Sequence, residues 1–80
     1  MNLRVVEVKP NPDYSLTLKF TSGEVRRFDV RPYLERGVFK ELKDVQLFNS
    51  VRPSLGSIQW LNGQDLCPDT LYLDSQPLSS

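Results

Sequence analysis

The chain has 80 residues with ten basic and ten acidic side chains, one cysteine and no histidine. At this length only roughly 60–65% of the unfolded surface is buried, so one thin-cored domain is expected and a deep substrate cavity is not. The missing histidine removes the commonest general base and metal ligand, one cysteine excludes an intrachain disulfide framework, and zero net charge gives no global attraction to nucleic acid or an anionic membrane.

Residues 3–9, LRVVEVK, are short and rich in valine, and Pro10-Asn11-Pro12-Asp13 ends them with turn chemistry. This run is too short, and too interrupted by Arg4 and Glu7, for a signal peptide or a membrane span, so a cytoplasmic protein with no membrane partner is expected. Residues 14–20 alternate, with Tyr14, Leu16, Leu18 and Phe20 on one face and Ser15, Thr17 and Lys19 on the other. That pattern predicts a strand with one buried and one wet side, as in an antiparallel sheet. Thr21-Ser22-Gly23 reads as a hairpin loop, and residues 24–30 as the returning strand with Val25, Phe28 and Val30 as its apolar residues.

Pro32 suits the first turn of a helix, where its missing N–H is not needed, and Asp29 is placed to accept backbone N–H groups just ahead of it. After Gly37, the residues Val38, Phe39, Leu42 and Val45 recur at roughly helical spacing, with Lys40, Glu41, Lys43 and Asp44 turned outward. Leu47 and Phe48 are expected to pack the end of this segment onto the sheet. A fourth strand begins at Val51, with Pro53 arguing for an edge position, and Leu55-Gly56 turns it into a fifth strand over residues 57–61. Ile58 and Trp60 face inward there.

Asn62-Gly63 is a two-residue hairpin signal that calls for positive φ at both positions. Pro68 and Asp69 start a last short helix, whose Leu71 with Tyr72 or Leu73 covers the sheet. The expected fold is therefore α+β: a small antiparallel sheet of about five strands, in β-β-β-α-β-β-α order, with short helices on one face. Residues 3–73 make the single domain and residues 74–80 a frayed tail. Trp60 is expected against Phe20 or Phe28, closed over by Leu71 or Tyr72, because the thin core needs its one indole.

Chemistry-bearing constellations are sparse. No Gly-rich phosphate loop or Gly-x-Ser-x-Gly elbow is present, and one cysteine without histidine cannot build the usual zinc site, so no enzyme activity and no cofactor are expected. Asn62, Asp65 and Asp69 could offer oxygen ligands to a divalent cation, but turn and helix-start roles account for them more simply and no metal is expected. Cys67 precedes a helix start and reads as a small buried apolar residue. Arg26, Arg27, Arg31, Arg36, Lys40 and Lys43 form the one basic cluster, with Glu24, Asp29, Glu35, Glu41 and Asp44 mixed among them. Direct nucleic-acid binding is accordingly not expected of this domain alone.

Charge is nevertheless unevenly placed. Residues 1–53 hold ten bases and seven acids, whereas residues 54–80 hold Asp65, Asp69 and Asp74 and no base. Solvated surface spread around a small fold accounts for this most simply. The sharper reading is a dipolar domain whose faces dock on partners or on each other, with Arg26, Arg27, Arg31, Arg36, Asp65, Asp69 and Asp74 as its candidate partner-binding residues.

Three phrases complete the reading: the Tyr14-led strand ending in Phe-x-x-Gly-Glu, then Phe-Asp-Val-x-Pro-Tyr-Leu-x-x-Gly-Val-Phe-x-x-Leu, then Trp-x-Asn-Gly-x-Asp-Leu-x-Pro-Asp-x-Leu-Tyr. Spanning Val6 to Tyr72, they resemble the bacterial domain of unknown function (DUF) family 2442. The resemblance implies a small α+β domain. Some members continue into a helix-turn-helix DNA-binding domain, and others are single domains encoded beside a small partner in a toxin–antitoxin-like arrangement. It implies no catalytic residues, and turns, caps and core explain the matching Phe28, Asp29, Gly63, Asp65, Asp69 and Tyr72. With the chain ending soon after Tyr72, the helix-turn-helix extension is expected to be missing. The expected function is a non-enzymatic protein-interaction module, the antitoxin-like or regulatory member of a two-gene pair, bound to its neighbour-encoded partner or to itself as a homodimer. The alternative is a sensory or dimerisation domain for transcriptional regulation.

Overall fold

Three of the loops are one turn built three times. In Asn11–Ser15, Phe20–Glu24 and Trp60–Gln64, the first carbonyl accepts from the fourth N–H at 3.2, 2.8 and 2.9 Å, and the first N–H donates to the fifth carbonyl at 2.9, 3.0 and 2.9 Å. The third side chain accepts from the fifth N–H each time, through Asp13 at 3.1 Å, Ser22 at 3.3 Å and Asn62 at 3.0 Å. The fourth residue takes left-handed φ: 63° at Tyr14, 87° at Gly23 and 89° at Gly63. These are three-residue hairpin loops, in which one left-handed residue re-enters the strand.

Asn62 therefore does not share the positive φ expected of it; only Gly63 does. A side chain such as valine at position 63 would be forced into left-handed backbone, strained whatever space surrounds it. Gly63→Val is expected to lower stability by roughly 1–2 kcal/mol or more, read from its urea midpoint.

In the computed structural model, which describes residues 4–78, these loops organise two antiparallel sheets. The first comprises β1 (Val5–Pro10), β2 (Ser15–Phe20), β3 (Val25–Asp29) and a two-residue β7 (Gln76–Pro77), in the order β1-β2-β3-β7. The second comprises β4 (Arg52–Ser54), β5 (Ser57–Gln59) and β6 (Asp65–Leu66) in chain order. This corrects the single five-stranded sheet. The second hairpin pair does not continue the ladder of the first sheet; it lies against β1, tied there by the Val5 N–H to the Gly56 carbonyl at 2.8 Å. Pro53 stands on the edge strand β4, where its missing N–H does no harm.

The segment read as a turn of helix interrupted at Gly37, with helical spacing after it, forms 3₁₀ turns at Arg31–Tyr33 and Gly37–Lys43, followed by α1 (Val45–Phe48). Asp29 accepts from the Arg31 N–H at 3.0 Å, the role expected of it. The change to three residues per turn alters which side chains point inward. Leu42 and Phe48 are buried, while Val45 is 57% exposed, against its expected inward position; the Val38 side chain lies outside the described residues. Helix α2 (Pro68–Leu73) begins at Pro68 and buries Leu71, with Tyr72 packed at the core edge and Leu73 left in solvent.

One core joins both sheets. Leu16, Leu18, Phe20 and Phe28 come from the first, Ile58 from the second, and Leu42, Phe48, Trp60 and Leu71 from the segments between and after them. Trp60 is buried as expected, but its aromatic neighbour is Phe48, at 6.4 Å between ring centres, and its Nε1–H donates to the Phe48 carbonyl at 3.1 Å. Phe20 instead meets Tyr72 edge-on at 5.3 Å, and Phe28 lies by Tyr33 at 5.5 Å. The indole belongs to the second sheet's hairpin, so its aromatic partner comes from α1.

Two bulky residues hold left-handed backbone, which costs an L-residue about 1–2 kcal/mol. Tyr14 gains from its position: its ring packs edge-on against Phe48 at 5.1 Å and its hydroxyl donates to the Lys43 carbonyl. Leu55, at φ 51° in the two-residue turn it shares with Gly56 (φ 83°), is 93% exposed and gains nothing comparable.

The frayed tail expected over 74–80 is corrected for 74–78; residues 79 and 80 lie outside the described residues. Ser75 is buried, and β7 extends the first sheet by pairing Arg26 with Pro77 and Arg27 with Gln76.

Candidate functional site

Successive residues in a strand point to opposite faces, and this separates the basic cluster at once. On β3, Arg26 turns to the inner face. It donates to Ser75 Oγ at 2.6 Å and the Ser75 carbonyl at 2.7 Å, pairs with Glu24, and lies 4.2 Å over the Tyr72 ring. Arg27 turns outward and pairs with Asp13 at 2.7 Å. Arg31 pairs with Asp29 at 3.0 Å and Lys43 with Glu35 at 2.7 Å. Three of the four arginines expected to meet a partner thus meet acids of their own chain. Arg36 alone of the four lacks an ion pair among the described residues; it lies 5.6 Å from the Tyr33 ring centre.

These pairs hold their carboxylates ionised. The Ser15 hydroxyl and then Arg27 bring Asp13 down to about 2, while Arg26 lowers Glu24, Arg31 lowers Asp29 and Lys43 lowers Glu35. A carboxylate depressed in the folded state stabilises the fold above its unfolded pKa and loses that contribution as pH falls through the folded value. For Asp13 the loss falls between about pH 4 and about pH 2. Asp13→Asn is expected to flatten that part of the acid-unfolding curve, measured as urea midpoints at pH 5, 3 and 2.

The three C-terminal acids fall in different places. Asp74, just past α2, accepts from the Tyr33 hydroxyl at 3.0 Å and shares with Asp29, Pro32 and Arg36 an open hollow of about 440 Å³. Burial, and then this hydrogen bond, raise the Tyr33 pKa. Asp65 lies on β6 beside a second hollow of about 370 Å³, with Leu55, Ile58, Leu66 and Pro68 around it. Asp69 sits exposed in the first turn of α2. Among the described residues none of the three has an ion-pair partner, and no three of Cys, Asp and Glu come together to hold a metal. Cys67 is exposed rather than buried, because the chain passes the rim of the second hollow there before α2 begins. A third hollow, about 510 Å³, lies on the outer face of the first sheet, with Val6, Val8, Lys9, Lys19, Val25 and Pro53 around it.

Neither Leu55 nor the Arg26–Ser75–Tyr72 cluster stood out in the sequence. Leu55-Gly56 gave a turn but not the left-handed leucine within it. Nothing local to Arg26 points to a serine 49 positions away.

The family model described as Protein of unknown function (DUF2442) matches residues 5–77 of the 80. The chain belongs to this family. No curated protein and no solved structure matches it. The DUF2442 match runs from the first residue of β1 to the last of β7. It takes in both sheets and the segment read as a loose tail. Among the described residues no helix is long and apolar enough to cross a membrane.

Proposed function

We propose that the domain is a non-enzymatic protein-interaction module, the antitoxin-like or regulatory member of a bacterial two-gene pair, which meets a basic neighbour-encoded protein through its acidic C-terminal third. One observation carries this reading. The ion pairs among the described residues, Arg26–Glu24, Arg27–Asp13, Arg31–Asp29 and Lys43–Glu35, all join residues of the first 53 positions, while Asp65, Asp69 and Asp74 form none. Complementary charge of this kind sets partner choice and association rate more than raw affinity.

The test is co-expression with the adjacent gene product and co-purification at low and high salt. A complex is expected that weakens with added salt and is lost when Asp65, Asp69 and Asp74 are all changed to asparagine. No complex, or one indifferent to the triple change, would refute the reading. Sedimentation of the isolated protein at high concentration separates this from a homodimer.

A further inference from the structure

The turn at Leu55-Gly56 is fixed from one side and bare on the other. Val5 N–H holds the Gly56 carbonyl at 2.8 Å, and Arg4 Nη2 reaches the Leu55 carbonyl at 3.4 Å. A Cβ at position 56 would meet the Arg4 Nε at 2.5 Å, but that is the end of a flexible side chain; it is the φ of 83° that favours glycine here. The backbone is thus anchored to the first sheet, while the Leu55 side chain stays 93% exposed in left-handed conformation. Asparagine is the residue such turns favour, and it would satisfy the backbone without exposing an apolar group. Folding therefore supplies no reason for a leucine here, and it is the strained backbone, more than an exposure shared with Leu61 and Leu73, that points to recognition.

Leu55 stands at the rim of the 370 Å³ hollow, whose surface includes Leu66 and Pro68 together with Ser54 and Gln59, while Ile58 at its base is buried in the core. Among the described residues Asp65 is the one carboxylate around that hollow and has no ion pair, and no base lines the hollow, while the Arg4 guanidinium meets the backbone of the Leu55-Gly56 turn. Its strand β6 is the outer strand of the second sheet. Leu55, Leu66 and Pro68 beside an unpaired carboxylate fit an aliphatic side chain flanked by a lysine or arginine, with Ser54 and Gln59 on the polar part of the wall.

We infer that the hollow beside Leu55 and Asp65 is a docking surface for a basic, aliphatic-bearing segment of a partner protein. The inference rests on the interaction-module reading and names the surface it would use. Leu55 would lie along the incoming aliphatic chain and Asp65 would meet the adjacent cation. Charge complementarity selects this occupant over an acidic one.

The test titrates the isotope-labelled protein with a synthetic peptide of alternating leucine and lysine, and with its counterpart carrying glutamate for lysine, following backbone amide shifts. Saturable shifts confined to positions 54–59 and 64–67 are expected with the lysine peptide. Affinity should fall at least tenfold for the glutamate peptide, for Leu55→Asn and for Asp65→Asn. Leu55→Asn should melt no lower than the parent protein, since the fold does not use that side chain. The inference is overturned if the shifts map elsewhere, if both peptides bind alike, if either variant binds unchanged, or if Leu55→Asn lowers the melting temperature. Self-association that Leu55→Asn abolishes would make the occupant a second copy and overturn it too. A neighbour-encoded protein that binds both variants at full strength would overturn the surface but leave the module reading standing. One that binds no form would remove the module reading, while the peptide titration still decides the hollow.

Discussion

Trp60→Ala is expected to destabilise the domain by roughly 3–5 kcal/mol, the range for removing a large buried aromatic side chain. Trp60 is 1% exposed, sits at the junction of the second sheet and α1, and stacks obliquely against Phe48. Its loss leaves a cavity in a core that has no other indole, and it strips the Phe48 carbonyl of the Nε1–H that donates to it from 3.1 Å. That carbonyl keeps a longer bond from the Val51 N–H at 3.4 Å, so the lost donor adds only part of the about 1–3 kcal/mol that a fully unpaired buried group costs. Small domains are stable by only about 5–15 kcal/mol, and one this size is expected near the lower end, so much of the population should unfold. Trp60→Phe separates the two contributions, since it keeps a ring but not the donor. Urea midpoints for both variants check this; a Trp60→Ala protein within 1 kcal/mol of the parent would mean the indole anchors nothing.

How much of this was legible depends on the distance over which each signal acts. The alternation Leu16-Leu18-Phe20 predicts an inner face, and all three residues are buried. Gly63 is recognisable because its turn is local; so is the start of α2 at Pro68. The three-residue loops could also have been read, since each places Asp, Ser or Asn just before its left-handed residue. Tyr14 hid this, because a tyrosine at φ 63° looks like the first residue of an alternating strand. Whether strand four continues the first sheet or begins a second cannot be seen in a pattern of apolar residues. It depends on long-range contacts such as Val5 N–H to the Gly56 carbonyl, which no periodicity records.

The candidate site divides along the same line. Charge counts made Arg26, Arg27 and Arg31 look available, and pairing with acids two or fourteen positions away removes them. The charge imbalance of residues 54–80 survives because it needs no geometry: a segment without bases cannot neutralise itself. What the sequence could not supply is the hollow beside Asp65, which exists only once β5, β6 and the Leu55 turn come together.

Arg26→Ala should have the second large effect, and a local one. This guanidinium links strand β3 to the segment after α2: its Nε and Nη2 donate to Ser75 Oγ and the Ser75 carbonyl, and its face covers the Tyr72 ring at 4.2 Å. Glu24 completes the group, pairing with Arg26 and accepting from the Tyr72 hydroxyl at 2.9 Å. The Arg26 side chain is 12% exposed, so water cannot readily replace these partners. Hydrogen bonds to a charged group are worth roughly 1.5–3 kcal/mol, and a loss in that range is expected for the alanine variant. The other ties on the end of the chain are the two-residue β7, the Leu78 N–H to the Val25 carbonyl at 3.0 Å and the Tyr33 hydroxyl to Asp74. Hydrogen exchange should therefore rise first at positions 74–78 and on the β3 edge they cover, while Leu16 and Leu18 stay protected. Arg26→Lys should rescue only part of the effect, because an ammonium cannot reach Glu24 and both Ser75 acceptors in the planar fork that arginine offers. If exchange instead rose evenly through the core, Arg26 would be supporting the whole fold rather than fastening its last strand.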